Sequence, residues 1–289
     1  MSDNPVLGIF GGSGLYNIKG LEEVEERQVK TPFGDPSSPI VIGTLEGRRV
    51  AFLARHGIGH FITPTEVNYH ANVWAMKSLG IKHIVTVSAC GSLREDYAPG
   101  HIVVPDQLFD FTKNRNPSFF GEGLVVHVGT ADPYCETLSE DVFKAVSDTG
   151  ATVHRGGTFI TIEGPRFSTR GESNVFRSWD MSIIGMTTSP EAYLAREAEM
   201  CYAVMAHVTD YDVWHLSEEE VTVEQIIKIL NQNTDTAEEA VRNLIKSFNP
   251  NAECDDHNAL ASALITNPEM IPAETLKKLD LLVSKYYKS

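Results

Sequence analysis

Cys201-Tyr-Ala-Val-Met-Ala-His-Val-Thr-Asp-Tyr-Asp-Val-Trp214 opens on an apolar run and closes on two carboxylates, Asp210 and Asp212. An unbroken apolar run of this kind predicts a buried strand. Carboxylates just past the end of such a strand are costly unless something pairs with them. A ligand with several N–H groups, or with a ring nitrogen that takes a proton, would suit them; an adenine base has both. Taken alone, the same residues read equally well as a solvated Asp-x-Asp turn.

Working outward, short β-rich runs recur at Val6 to Phe10, Ile40 to Ile42, Val50 to Leu53, His83 to Ser88, Ile102 to Val104, Thr158 to Ile162 and Ile183 to Met186. Helical stretches lie between several of them. One is expected from Thr63, as the cap of a Thr63-Pro-Thr-Glu66 capping box, to Leu79, with Gly80 ending it. Others are expected from Ser189-Pro190 to about Glu199, from Val223 to Phe248 on a stripe of Ile226, Ile227, Leu230, Ala240, Val241, Leu244 and Ile245, and from Ala273 to Tyr287. Strands alternating with helices predict an α/β fold: one domain over residues 1–289, a central mixed sheet flanked by helices, and a helical C-terminal segment from about 223. Sites in such folds lie beyond the carboxyl ends of the strands.

Composition narrows the function classes. The 289 residues carry a net charge of -15, which argues against nucleic-acid binding. An anionic small molecule remains admissible, because local donors can overcome the mean field. No stretch reaches the length of a membrane span, and the N-terminus lacks a basic signal region, so a cytoplasmic protein with reduced thiols is expected. The four cysteines, Cys90, Cys135, Cys201 and Cys254, form no C-x-x-C and no zinc spacing; Cys90 and Cys201 read as small buried hydrophobes.

Five polar clusters sit at predicted strand ends. Gly11-Gly-Ser-Gly14 lets backbone approach an anion and adds the Ser13 hydroxyl, although it is neither a dinucleotide fingerprint nor a P-loop. Arg55-His56 has a planar fork for an oxyanion with a second donor, or else a structural arginine paired with an acid. Ser88-Ala-Cys-Gly-Ser92 can present free N–H groups and a hydroxyl after a strand ending at Val87, or simply pack a turn. Phe167-Ser168 can stack on a flat ring and hydrogen-bond its edge, or belong to the cap of a helix near Glu172. Met186-Thr-Thr-Ser189 precedes a helix N-terminus, a favourable place for an anion, with Ser189 as a plain cap.

Taken in order, these runs resemble the trimeric branch of the purine nucleoside phosphorylase family, and within it the members that cleave methylthioadenosine. The matching runs are Gly11-Gly-Ser-Gly14, Ala54-Arg-His-Gly57, Val67-Asn-Tyr69 with Ala71-Asn72, Ala89-Cys-Gly-Ser-Leu93, Ile162-Glu-Gly-Pro-Arg-Phe-Ser168, Met186-Thr-Thr188 with Pro190-Glu191, and Thr209-Asp-Tyr-Asp212. The resemblance implies phosphate binding by Ser13, Arg55, His56, Ser88, the Ala89 N–H and Thr187. It puts Met186 at the ribose, Phe167 and Ser168 at the base, Asp210 and Asp212 at N7 and the 6-amino group, and His127, Val223 and Ile226 at an apolar 5′ pocket. It further implies a homotrimer (hexamers occur in the wider family) and phosphate as co-substrate, with no metal or organic cofactor.

The implied reaction is phosphorolysis of an N-glycosidic bond. Asp210 is the expected general acid, because purine leaves poorly until N7 is protonated. Burial and the neighbouring Asp212 are expected to raise one pKa of the pair. Two alternatives are a 6-oxopurine or methylthioinosine phosphorylase of the same family, and a phosphate-independent nucleosidase.

Overall fold

The computed structural model describes residues 4–11, 18–215 and 223–287, and not the side chains of 223–233. The decisive stretch is strand β11 (Cys201–Asp210), buried along nearly all its length. Alternate residues face opposite cores. Tyr202, Val204 and Ala206 join one cluster with Phe10, Tyr69, Val73 and Trp74. Ala203 and Met205 join another with Ile9, Phe52, Leu138, Val142, Val241 and Leu244. Two buried faces explain why no apolar/polar alternation marks this strand.

The remaining strands among the described residues are β1 (Leu7–Gly11), β2 (Glu22–Arg27), β3 (Ile40–Leu45), β4 (Arg48–Ala54), β5 (His83–Ser92), β6 (Ile102–Val104), β7 (Gln107–Phe111), β8 (Val153–Arg155), β9 (Thr158–Ile162) and β10 (Ile183–Gly185). They form one mixed sheet in the order β2-β3-β4-β1-β5-β10-β9-β7, with β11, β6 and β8 branching from β5. Helices α2 (Glu136–Ser147) and α5 (Val223–Ser247) pack on each other and on β11 from one side, while α4 (Thr188–Glu197) meets β11 and α1 (Tyr69–Ser78) on the other. Helix α3 (Arg170–Ser178) follows β9, and α6 (Ala273–Lys278) and α7 (Asp280–Val283) close the chain.

Strand β5 is the hub. It runs parallel to β1 from Ile84 to Thr86 and parallel to β11 from His83 to Gly91, and it meets β10 antiparallel only at Gly91 and Ser92. Between those rungs the sheet splits, and Ser88, Ala89 and Cys90 lie where β1 has ended and β10 has not begun. The residues expected to follow a strand ending at Val87 are therefore part of a longer one.

Several expected boundaries move. Only half of the Thr63 box forms: the Thr63 N–H donates to Glu66, but the Thr63 hydroxyl donates to the same carboxylate instead of accepting from the Glu66 N–H, which bonds the Thr63 carbonyl and closes only a turn. Helix α1 starts at Tyr69, capped by the Asn68 side chain, which accepts from the Ala71 N–H. Gly80 takes a positive φ of 80° just past the helix, as expected. The stretch expected as one helix from Ala273 breaks at Leu279 into α6 and α7. Three strands escaped the apolar pattern. Edge strand β2, Glu-Glu-Val-Glu-Glu-Arg, is exposed throughout; its charges guard a free edge rather than fill a core. Strand β7 is half-exposed on the opposite edge, and β8 is three residues long.

Candidate active site

Arg55, at the end of β4, is 2% exposed and faces Glu191 of α4, which is fully buried. Its Nε donates to Glu191 Oε1 at 2.8 Å and its Nη2 to Oε2 at 3.2 Å. The Tyr202 hydroxyl donates to the same carboxylate at 2.6 Å, and Nη2 also reaches Thr86. The other arm, Nη1, donates to the hydroxyls of Thr187 at 3.2 Å and Ser88 at 3.4 Å. Arg55 does what the structural reading expects, with its fork on a carboxylate, while its Nη1 arm reaches the two hydroxyls of the expected phosphate set. Those hydroxyls accept from Arg55 and lie 3.4 Å apart, so only one can donate to the other. At least one O–H stays available to an incoming anion.

His56 Nδ1 lies 2.9 Å from the Ile62 carbonyl and must donate to it. Burial, then the Arg55 charge, lower the ring to a pKa of about 4, so it is neutral near pH 7 and Nε2 carries a lone pair. The expected second donor toward phosphate therefore exists only if the ring is protonated. Ser13 lies outside the described residues. Ser189 is extended at φ -104° and ψ 134°, as a cap would be, yet its buried hydroxyl has no hydrogen-bond partner among the described residues. The expectation that it caps α4 through its side chain fails.

The carboxylate pair lies along the same two strands. A bulge between Val208 and Asp210 sets two β11 residues against one of β5, so Asp210 stands opposite Gly91 rather than one rung beyond. Such a bulge re-aims the side chain that follows it. A methyl group added at Gly91 would come within 2.9 Å of Asp210 Oδ1. Asp210 accepts from the Thr209 hydroxyl at 2.6 Å and from the Asp212 N–H at 2.8 Å. Burial raises its pKa against those two donors. Asp212 follows in a left-handed turn, φ 53°. Burial, opposed by the nearby Ser173 hydroxyl and supported by Asp210's charge, raises it to about 6, and its buried Oδ2 makes no hydrogen bond of normal geometry among the described residues. The two carboxylates are linked through the Asp212 backbone.

Phe167 is 39% exposed, while Ser168 is buried with its hydroxyl unpartnered among the described residues. The Thr169–Glu172 capping box, the other reading of this segment, also forms and starts α3. Met186 lies against Gly164, where an added methyl would meet its sulfur at 2.6 Å. His127 is exposed, and its N–H bonds the Ala263 carbonyl; no described hydrogen bond or ring contact joins it to Asp210. The side chains of Val223 and Ile226 lie outside the described residues.

Three site residues were not read from the sequence as such. Glu191 appeared only as a neighbour of Pro190. Thr209 carries the bulge. Arg115, 2% exposed at its side chain, donates to the Met186 carbonyl at 2.6 Å, the Ser189 carbonyl at 2.7 Å and the Tyr69 hydroxyl at 3.1 Å, and pairs with Glu163 at 3.2 Å. It ties the loop bearing Thr187 to the loop after β9. Its surroundings, Asn114-Arg-Asn-Pro117, have no periodicity to single it out.

Where the sheet splits, β5 thus carries a hydroxyl and guanidinium cluster, and three residues further on its neighbour β11 brings in the first of two acids. The chain belongs to the phosphorylase superfamily, whose family model matches residues 6–246. The S-methyl-5′-thioadenosine phosphorylase of Geobacter sulfurreducens is 52% identical over 282 residues, covering 97% of this chain and 99% of that protein. That of Hyperthermus butylicus is 50% identical over 263 residues, 90% of this chain and 95% of its own. Among solved structures, a methylthioadenosine phosphorylase from an antarctic soil metagenomic library superposes with a TM-score of 0.93 at 43% identity, over 97% of this chain and 99% of that one. The Schistosoma mansoni methylthioadenosine phosphorylase in complex with adenine gives 0.80 at 39% identity, over 83% of this chain and 90% of that one.

Proposed function

We propose that this chain cleaves 5′-methylthioadenosine with inorganic phosphate, giving adenine and 5-methylthioribose 1-phosphate. The observation that carries this is the spacing of two unlike clusters on one strand. Ser88, with Arg55 and Thr187, and Gly91, against Asp210, are three residues apart on β5. Three residues span about 10 Å. That leaves room for a ribosyl unit with phosphate at one end and a base at the other.

In the proposed reaction phosphate sits on the Ser88 and Thr187 hydroxyls and the Ala89 N–H, with Ser13 as a further donor and the neutral His56 accepting through Nε2 from a protonated phosphate oxygen. A phosphate oxygen forms a bond to the anomeric carbon as the bond to N9 breaks, through an oxocarbenium-like sugar. The bonding pair passes into the purine, and Asp210 delivers a proton to N7. Its raised pKa supports that task, since a carboxyl must hold a proton to give one. The unpartnered oxygen of Asp212 accepts from the 6-amino group, and the unpartnered hydroxyl of Ser168 meets the base edge beside Phe167. An acceptor at Asp212 favours adenine over a 6-oxopurine, whose carbonyl it would repel. Met186 lines the ribose, and Val223 and Ile226 the methylthio group. His127, expected at the same 5′ pocket, is exposed, so it reaches that pocket from a contact between subunits of a homotrimer that also covers the exposed Val125 and Ile265. These groups and phosphate suffice for the reaction, with no cofactor. The unbridged cysteines support a cytoplasmic setting.

Adenine release from 5′-methylthioadenosine, with and without phosphate and beside inosine and methylthioinosine, tests the reading. Release that needs phosphate and is confined to the adenine nucleosides is expected. Release without phosphate would make the chain a nucleosidase, and turnover of inosine compounds alone would overturn the assignment of Asp212.

A further inference from the structure

At the opposite end of β11 from Asp210, the fold gathers three thiols that the sequence scatters. Cys135 caps the N-terminus of α2, Cys201 is the first residue of β11, and Cys254 precedes a helical turn at Asp255–Asn258. Their sulfurs and an oxygen of Asp256 all lie within 4.8 Å of one another. Cys135 and Cys254 are 3.2 Å apart, and Cys201 is 3.3 Å from Nε2 of His257. Cys135 and Cys201 are buried, as is Asp256, which is held by Arg196. Packing alone would account for three apolar thiols; it would not turn a buried carboxylate oxygen toward all three.

We propose that Cys135, Cys201, Cys254 and Asp256 form a structural site for a thiophilic divalent cation, with zinc as the ion that fits best. Four donors are the number a closed tetrahedral zinc site requires. With zinc–sulfur bonds of about 2.3 Å, sulfurs in such a site stand about 3.8 Å apart, so the observed spacings need only small adjustments. Arg196 on Asp256 supplies the outer partner that such ligands usually have. The frame is firm: the Cys135 N–H bonds the Tyr202 carbonyl at 2.9 Å, and the His257 N–H bonds the Cys254 carbonyl at 3.0 Å.

Binding is ligand exchange without electron transfer: three thiols become thiolates, and the protons they carry pass to solvent. A cation must displace those protons, so affinity rises with pH. The role is structural because the site lies a full ten-residue strand, about 30 Å, from Asp210.

The test uses the full chain, reduced and stripped by a chelator, titrated with Co2+ as an optical stand-in for zinc. One Co2+ per chain is expected, with thiolate-to-cobalt charge transfer and tetrahedral d–d bands that equimolar Zn2+ abolishes. Cys254→Ser, at the half-exposed ligand, is expected to weaken binding at least ~10-fold and leave phosphorolysis at room temperature unchanged. Absence of these bands in the reduced wild-type protein, which needs no variant to fold, overturns the proposal. So does a thiol titration showing two of the four cysteines already joined as a disulfide after air-free purification.

Discussion

At the scale of single residues, the site divides into groups that would touch reactants and groups that hold them. Asp210 belongs to the first kind. Asp210→Ala is expected to lower turnover by at least ~100-fold, the scale of a lost general acid, with the thermal midpoint little changed. Steady-state kinetics beside a melting curve check this, and near-normal turnover would remove Asp210 from the chemistry. Arg55 belongs to the second kind, because its fork is occupied by Glu191. Arg55→Ala is therefore expected to cost about 3–5 kcal/mol of stability by leaving a buried carboxylate unpaired, and denaturant melts would show it. The cleaner probe of the phosphate site is Thr187→Val, expected to raise the phosphate KM well beyond the nucleoside KM. Asp212 sets a pH dependence of its own. Its folded pKa of about 6 lies above the ordinary carboxyl value of 3.8, so the folded state holds the extra proton and loses stability as pH rises through that window. Asp212→Asn abolishes that loss. Its Tm advantage over wild type is expected to grow from about pH 4 to about pH 6 and then level off; a constant difference would mean the carboxylate is not desolvated.

At the scale of elements, caps and bulges decide where side chains point. The Thr63 box stands out in sequence and the Asn68 cap does not, yet it is Asn68 that holds the Ala71 N–H at the start of α1 and also donates to the Phe33 carbonyl at 2.8 Å. Asn68→Ala is expected to cost about 1 kcal/mol in denaturant melts, and Thr63→Ala clearly less. Equal costs would return the start of the helix to Thr63. The β11 bulge matters more for function. Strands alternate their faces, so one inserted residue moves Asp210 to the side it needs while Ala206 and Val208 remain in the core. A bulge leaves no mark in an apolar pattern, and the sequence accordingly reads the strand as ending at Val208 and the acids as lying past it.

At the scale of the whole molecule, the proposed homotrimer is expected to sediment at about three times the 31.9 kDa chain, and sedimentation equilibrium checks it. A monomer with full activity would remove the subunit contact assigned to His127. What the sequence determined by itself is the α/β class, the buried strands and the strand-end clusters, because those rest on local chemistry: apolar runs, glycine turns, caps and side-chain donors within a few residues of each other. Tertiary structure alone decided which donors meet. Arg55 and Glu191 are 136 residues apart. Arg115 reaches Met186 across 71, and Cys135 reaches Cys254 across 119. Partners so distant leave no local spacing to read, because a strand order with β5 at its hub, not proximity along the chain, brings them together.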